Sequence, residues 1–172
     1  MRTLILMRHA KAARAHEAPR DEARGLTERG RRDAEAAGAA LAEAGLAPAL
    51  ALISSALRTR ETAAHALKGL VFGHFAMETR FEDALYNAAP EGVWDAFSAS
   101  EAACVIVIGH NPGLGELASH LIRQAHDGSK LAREFAGNFP TAAFAAFEIR
   151  GDLMAAAGPR LVAAWTPPRG EG

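Results

Sequence analysis

Near its N-terminus the sequence reads Leu4-Ile5-Leu6-Met7-Arg8-His9, in which four apolar residues lead directly into an arginine and a histidine. The run Val105–Ile108 is followed in the same way by Gly109-His110-Asn111-Pro112. Continuous apolar runs of this length are typical of parallel strands buried on both faces. Because ligands bind outside the carboxyl ends of such strands, we expect His9 and His110 to share one crevice.

A third apolar run adds a second arginine to the same predicted edge. Residues Leu50–Ile53 lead into Ser54-Ser55-Ala56-Leu57-Arg58. Arginine carries a permanent charge on a planar fork that matches two phosphate oxygens at once. Arg8 and Arg58, together with His9 and His110, therefore predict a phosphate site.

Strands and helices alternate along the rest of the chain. This order predicts an α/β fold, a three-layer αβα sandwich with a mostly parallel central sheet. Thr27 is the expected N-cap of a first helix that ends at Gly45. Further helices are predicted at 57–67, 90–98 and 114–124, a short third strand within 71–77, and late strands at 142–149 and 161–165. We expect one domain over residues 1–168, an excursion at 125–138, and a C-terminal tail at 169–172.

Composition narrows the class of protein. The 172 residues are 49% hydrophobic and 23% charged, which is ordinary for a globular domain, and the net charge of −1 argues against a nucleic-acid binder. The single cysteine, Cys104, excludes an intrachain disulfide. Neither a signal peptide nor a run of roughly 18 apolar residues is present, so a cytoplasmic protein without a membrane segment is expected.

The histidines and arginines suit phosphoryl transfer without a metal. A neutral histidine attacks phosphorus through one ring nitrogen while a backbone carbonyl holds the other, and His9 stands where such a nucleophile would belong. His110 would be a further donor to the phosphoryl oxygens. The other histidines fall at no recognisable ligand spacing, so neither metal nor cofactor is expected. Gly109–Gly115 lacks the Lys-Ser/Thr of a P-loop, and no Gly-x-Ser-x-Gly elbow surrounds Ser54.

Several sequence blocks make the comparison with a known family specific. In chain order they are Leu6-Met7-Arg8-His9-Ala10-Lys11, Arg24-Gly25-Leu26-Thr27-Glu28-Arg29-Gly30, Ser54-Ser55-Ala56-Leu57-Arg58-Thr59-Arg60-Glu61-Thr62-Ala63, Leu85-Tyr86, Val107-Ile108-Gly109-His110-Asn111-Pro112 and Pro140-Thr141-Ala142-Ala143. The chain resembles the histidine phosphatase superfamily, also called phosphoglycerate-mutase-like, and within it the short phosphohistidine phosphatases of the SixA type. The resemblance implies that His9 is phosphorylated during the cycle and that Arg8, Arg58 and His110 complete the phosphate pocket. It also implies a phosphate-side role for Arg24, for which a solvated loop arginine is the alternative.

One departure from the family concerns the proton donor. Phosphoester hydrolases of the superfamily usually carry a carboxylate before the last histidine block, and Glu82 and Asp83 are the candidates here, with surface charge as the alternative. Ala84 falls where a glutamate often stands. Expelling an alkoxide needs a proton donor, whereas imidazole, whose conjugate acid has a pKa near 6.5, leaves far more easily. A site without a well-placed proton donor therefore favours phosphohistidine as the substrate.

Three functions remain open from the sequence. The first is hydrolysis of phosphohistidine on a phosphorelay or phosphocarrier domain, which the short chain and its open pocket favour. The second is hydrolysis of a small phosphoester on the same fold. The third is a catalytically idle module that binds phosphorylated proteins, against which the joint presence of Arg8, His9, Arg58 and His110 speaks.

Overall fold

Strands and helices alternate in the computed structural model, as the sequence predicts. The structure describes residues 1–70, 77–125, 132–133, 135, 138–151 and 158–168. Within these ranges the elements are β1 (Arg2–Arg8), α1 (Glu28–Glu43), β2 (Leu50–Ser54), α2 (Leu57–Ala66), β3 (Glu78–Glu82), α3 (Pro90–Ser98), β4 (Cys104–Gly109), α4 (Gly113–Gln124), β5 (Phe144–Ile149) and β6 (Arg160–Trp165). No helix in the described ranges is both long and apolar enough to cross a membrane.

The strands form one six-stranded sheet in the order β3-β2-β4-β1-β5-β6. Strands β1 to β4 pair in parallel, β5 pairs antiparallel with β1, and β6 pairs antiparallel with β5. The sheet is therefore mostly parallel, as predicted, with β5 reversed. Arg8 is in register with Gly109, so β1 and β4 end at the same level and deliver His9 and His110 side by side.

Alternate residues of the strands build two apolar cores, one on each face of the sheet. Leu4 and Leu6 belong to the core under α3 and α4, whereas Ile5 and Met7 belong to the core under α1 and α2. All four side chains are fully buried. Because both faces are covered by helices, the central strands are apolar throughout, and the three-layer αβα prediction is confirmed.

Local signals set the helix boundaries as expected. The Thr27 hydroxyl accepts a hydrogen bond from the Gly30 amide at 3.0 Å and caps α1. Beyond the other end of α1, Gly45 has φ +68°, a conformation that glycine adopts without steric cost. Pro90 occupies the first turn of α3, where no amide hydrogen is needed.

Some predicted segments fall where the structure gives no description. The short strand expected within 71–77 lies outside the described residues except for Met77, which is not in a strand. The third strand that the structure shows is β3, next to that segment. Most of the 125–138 excursion and the whole 169–172 tail also lie outside the described residues.

Candidate active site

His9 follows β1, and its main chain extends the pairing with β4. The His9 amide donates to the Gly109 carbonyl at 3.0 Å, and Nδ1 of the ring lies 2.8 Å from the Ala10 carbonyl oxygen. A carbonyl only accepts hydrogen bonds, so Nδ1 carries the proton and Nε2 of the neutral ring keeps its lone pair. Burial lowers the pKa of His9 to about 3, against the opposing effect of the Ala10 bond. The ring is neutral at pH 7.

His110 stands beside His9, at the end of β4. The two ring centroids are 5.3 Å apart, and His110 is buried. Its Nε2 lies 2.7 Å from the Ser54 hydroxyl, while its buried Nδ1 has no hydrogen-bond partner among the described residues. Burial, followed by the charge of Arg58, lowers the pKa of His110 to about 4. Both histidines are therefore neutral at physiological pH.

Arg58 lies in the first turn of α2 with its side chain only 5% exposed. Its Nη1 donates to the Asp21 carbonyl at 2.8 Å, and its Nη2 donates to Asp21 Oδ2 at 2.9 Å. The guanidinium also lies 5.9 Å from the centre of the Tyr86 ring. One residue of the 10–25 loop thus binds two of the three nitrogens of this arginine.

Arg8 is held from the opposite side, by the segment that precedes β5. Its Nη1 donates to the Phe139 carbonyl at 2.9 Å, an oxygen that also accepts from Asn111 Nδ2 at 3.0 Å. The Nε of Arg8 is buried and has no hydrogen-bond partner in the described part of the protein. Burial lowers the pKa of Arg8. Two buried nitrogens of the crevice, on Arg8 and His110, therefore lack a partner among the residues that the structure describes.

Asp21 and Tyr86 are the parts of the site that sequence reasoning missed. Asp21 Oδ2 accepts a hydrogen bond from the Tyr86 hydroxyl at 2.7 Å, and the Tyr86 ring packs edge-on against His110 with centroids 5.5 Å apart. Tyr86 stands in one of the sequence blocks quoted above, but nothing there marks its partner. Asp21 is one charged residue among many in a polar loop, and only the folded loop brings it to Arg58.

Arg24 meets the site through Asp21. Its Nη1 donates to Asp21 Oδ1 at 2.8 Å, and its Nε donates to the Ala13 carbonyl at 2.8 Å. Hydrogen bonds from Tyr86, Arg24 and Arg58, in that order, hold the pKa of Asp21 well below its usual range. The same bond to Asp21 raises the pKa of Tyr86. The carboxylate of Asp21 is thus ionised at every pH where the protein is expected to work.

Glu82 and Asp83 lie at the end of β3 and directly after it. Glu82 lines a cavity of about 460 Å³ together with Leu52 and Asp95, and Asp83 is exposed. Within the described ranges, neither carboxylate makes a hydrogen bond or an ion pair with the histidines or arginines of the crevice. The structure thus brings together Arg8, His9, Arg58 and His110 and reaches Arg24 through Asp21, while a proton-donor role for Glu82 or Asp83 stays a prediction.

Among the residues that the structure describes, no group of three or more His, Cys, Asp or Glu side chains is arranged to hold a metal ion.

Known proteins resemble this chain in sequence. A family model of the histidine phosphatase superfamily (branch 1) matches residues 4–111. An uncharacterized protein of Mycobacterium tuberculosis is 31% identical over 147 residues, 84% of this chain and 88% of its own length. An uncharacterized chloroplastic protein of Arabidopsis thaliana is 31% identical over 129 residues, and this chain covers 70% of its own length and 59% of the plant protein.

Two solved structures are also similar to this chain. A protein from Nakamurella multipartita, assigned as a phosphohistidine phosphatase SixA, superposes with a TM-score of 0.79 at 31% identity, over 98% of this chain and 97% of the other. A protein from Agrobacterium tumefaciens with the same assignment has a TM-score of 0.77 at 29% identity, over 96% and 99% of the two chains. Because the family model matches residues 4–111, well over half of its length, the chain belongs to the histidine phosphatase superfamily (branch 1).

Proposed function

We propose that this chain is a metal-independent phosphatase that passes the phosphoryl group through His9 and acts on phosphohistidine in a protein. The observation that carries the proposal is the bond between His9 Nδ1 and the Ala10 carbonyl, at 2.8 Å. It fixes the tautomer that leaves Nε2 as a nucleophile, and the low pKa keeps that nitrogen unprotonated. Membership of the histidine phosphatase superfamily supports phosphatase activity.

The arginines and His110 provide the charge stabilisation that phosphoryl transfer requires. In the first step His9 Nε2 forms a bond to phosphorus while the bond from phosphorus to the leaving group breaks. Arg8 and Arg58 would hold the equatorial oxygens, which carry the negative charge. When the Ser54 hydroxyl donates to His110 Nε2, Nδ1 of that ring carries a proton and becomes a donor to the same oxygens. A phosphoryl group would thus satisfy both unpartnered nitrogens of the crevice. In the second step, water releases phosphate and restores His9.

The substrate class follows from the leaving group. Among the described residues, neither Glu82 nor Asp83 bonds to the histidines or arginines of the crevice, so proton donation to a leaving alkoxide would be weak. Imidazole leaves without a strong acid. The likeness to the Nakamurella and Agrobacterium proteins supports the same class. We therefore infer a phosphorylated histidine on a phosphorelay or phosphocarrier domain as the substrate. Arg24 would assist the pocket through its bond to Asp21, and a cytoplasmic location remains a prediction of the sequence.

The test is the rate of phosphate release from a phosphohistidine-containing protein, compared with para-nitrophenyl phosphate and a panel of small phosphoesters. The His9→Ala variant is the control for each substrate. Strong His9-dependent loss of phosphohistidine with weak ester hydrolysis is the expected result. Efficient ester turnover would instead identify a small-molecule phosphomonoesterase and make Glu82 or Asp83 the proton donor to test next.

Trapping of radioactive phosphate separates the enzyme from a binding module. The wild-type protein is mixed with labelled substrate and quenched in alkali, in which phosphohistidine survives. Label on His9, absent from His9→Ala, is expected. Binding of a phosphorylated protein without label or turnover would mean that the chain only recognises phosphoproteins.

A further inference from the structure

Asp21 is a carboxylate placed at the phosphate arginine by the 10–25 loop. Its Oδ2 accepts hydrogen bonds from Arg58 at 2.9 Å and from Tyr86 at 2.7 Å, and its Oδ1 accepts one from Arg24 at 2.8 Å. These three donors hold the side chain in one orientation. The position is thus more than a solvated loop charge, because its partners come from α2, from the segment before α3 and from the same loop.

The carboxylate retains capacity for one more donor. A carboxylate oxygen accepts two hydrogen bonds, and Oδ1 has one protein donor among the described residues. The Asp21 side chain is 44% exposed, whereas Arg58 beneath it is 5% exposed. Asp21 is therefore the more solvent-accessible partner of this ion pair. The second lone pair of Asp21 Oδ1 can therefore accept a hydrogen bond from a group that enters from solvent.

A phosphohistidine substrate carries a ring N–H group that the Asp21 carboxylate can accept as a hydrogen-bond donor. One ring nitrogen is bonded to phosphorus, and the other, the distal nitrogen, carries a proton when the ring is activated to leave. A fixed carboxylate beside that N–H forms a charge-assisted hydrogen bond and stabilises the protonated ring. We propose that Asp21 is a specificity-determining residue, which accepts a hydrogen bond from the distal nitrogen of the leaving imidazole and so favours P–N over P–O substrates. The inference rests on the proposed function.

The step balances without a further proton donor. His9 Nε2 supplies the electron pair of the new N–P bond, and the electron pair of the breaking P–N bond remains on the leaving imidazole nitrogen. The proton on the distal nitrogen stays there, so the ring departs neutral. Asp21 does not assist the hydrolysis of an ester, because the leaving alkoxide needs a proton and the ionised Asp21 carboxylate carries none.

The experiment compares two small probes, phosphoimidazole and para-nitrophenyl phosphate, in wild type, Asp21→Asn and Asp21→Glu. We expect Asp21→Asn to lower kcat/KM for phosphoimidazole about tenfold more than it lowers kcat/KM for the ester, a difference of about 1.4 kcal/mol. Asp21→Glu retains the negative charge and should therefore keep part of the preference for phosphoimidazole over the ester. Glu22→Gln is the matched control, since it removes an exposed carboxylate one residue away.

Inhibition by vanadate separates this role from simple positioning of Arg58. Vanadate occupies the phosphoryl site without an imidazole, so any change in its inhibition constant between wild type and Asp21→Asn measures the effect that Asp21 exerts through Arg58 alone. An equal loss on both substrates with weaker vanadate inhibition would overturn the proposal, because Asp21 would then act only by orienting Arg58. An unchanged ratio of the two substrates would also overturn it. Should Asp21→Asn not fold, Asp21→Ser removes the same charge and answers the same question.

The wild-type protein distinguishes failure of this inference from failure of the proposed function. If wild type cleaves the ester and leaves phosphoimidazole intact, the phosphohistidine function is wrong and the role of Asp21 falls with it. If wild type cleaves phosphoimidazole and Asp21→Asn keeps the same ratio, only the role of Asp21 is wrong.

Discussion

The Ser54 hydroxyl lies 2.7 Å from Nε2 of His110, and it gives this buried ring its hydrogen bond to the protein. Ser54 is the last residue of β2 and is fully buried, so its position is fixed by the sheet. The serine therefore fixes how the ring faces His9, and its hydroxyl either donates to Nε2 or accepts from it according to the tautomer.

Replacing Ser54 with alanine should weaken both the site and the fold. The change leaves the His110 ring without a hydrogen bond to any described residue, and an unsatisfied buried polar group costs about 1–3 kcal/mol. We expect a lower melting temperature and a kcat reduced about tenfold, since about 1.4 kcal/mol of lost orientation corresponds to that factor. Phosphatase kinetics and thermal unfolding measure the two effects. Ser55→Ala is the control on the neighbouring residue, and an equal loss there would contradict the role assigned to Ser54.

Replacing Arg58 with lysine should slow the reaction without unfolding the protein. Lysine keeps the charge but lacks the planar fork whose two Nη groups bond the carbonyl and the carboxylate of Asp21 and still present N–H donors to a phosphoryl oxygen. Loss of one preorganised donor to a developing oxyanion costs a factor of about 10²–10³ in kcat, which is the expected reduction. Arg60→Lys, on the exposed side of the same helix, should keep wild-type kinetics. Full activity in Arg58→Lys would show that bidentate binding is not needed.

The pH dependence of stability should report the two buried histidines. Their pKa values, about 3 for His9 and about 4 for His110, lie below the value of about 6.5 expected in the unfolded chain. Between pH 6.5 and pH 4 the unfolded state therefore binds more protons, and stability decreases as the pH falls. Each histidine contributes a slope of up to about 1.4 kcal/mol per pH unit in this window. Urea unfolding at several pH values, in wild type and His9→Gln, should show a shallower slope in the variant; an identical slope would mean that His9 is not buried in its neutral form.

Much of the fold could be predicted because its signals are local. The apolar runs of β1 and β4 predicted central strands, and the hydroxyl of Thr27 predicted the start of α1. Once those strands are parallel neighbours, the meeting of His9 and His110 follows from geometry. The arginines and histidines of the crevice were found for this reason.

The edge strand β3 and the Asp21 contact could not be predicted in the same way. Residues 78–82 read Glu-Thr-Arg-Phe-Glu, and four of them are exposed, so no apolar pattern marks the strand. Backbone pairing with β2 holds it instead. Asp21 lies 37 residues from Arg58 in sequence, and its contact depends on the path of a loop, which short-range patterns do not specify.

Two glycines offer a matched test of the packing between α1 and α2. A Cβ on Gly38 would lie 2.2 Å from the Ala66 carbonyl oxygen, a backbone atom that has no room to move, whereas a Cβ on Gly92 would meet its nearest atom at 3.5 Å. We expect Gly38→Ala to destabilise the protein by about 1–3 kcal/mol through overpacking. Gly92→Ala, on the exposed side of α3, should stabilise it by about 0.5–1 kcal/mol. Chemical denaturation measures both, and a neutral Gly38→Ala would mean that the two helices can separate at little cost.

The main chain after His9 gives the last prediction, because the proposed nucleophile depends on the position of the Ala10 carbonyl. The Ala10 amide donates to the Thr62 hydroxyl at 2.9 Å, and that hydroxyl donates to the Arg58 carbonyl at 2.6 Å. One buried side chain on α2 thus joins the main chain beside His9 to the backbone of Arg58. Removing its hydroxyl should disturb both partners.

Thr62→Val keeps the shape of the side chain and removes the hydroxyl, so the Ala10 amide loses its acceptor at a cost of about 1–3 kcal/mol. We expect kcat to fall about tenfold, because Ala10 then holds His9 less firmly in the reactive tautomer and orientation. Thr62→Ser retains the hydroxyl and should stay close to wild type in activity. Steady-state kinetics on both variants measure kcat. Thermal unfolding of the same variants shows whether a lower rate reflects a loss of stability. Equal activity in Thr62→Val and Thr62→Ser would mean that the β1 and β4 pairing alone is sufficient to position His9.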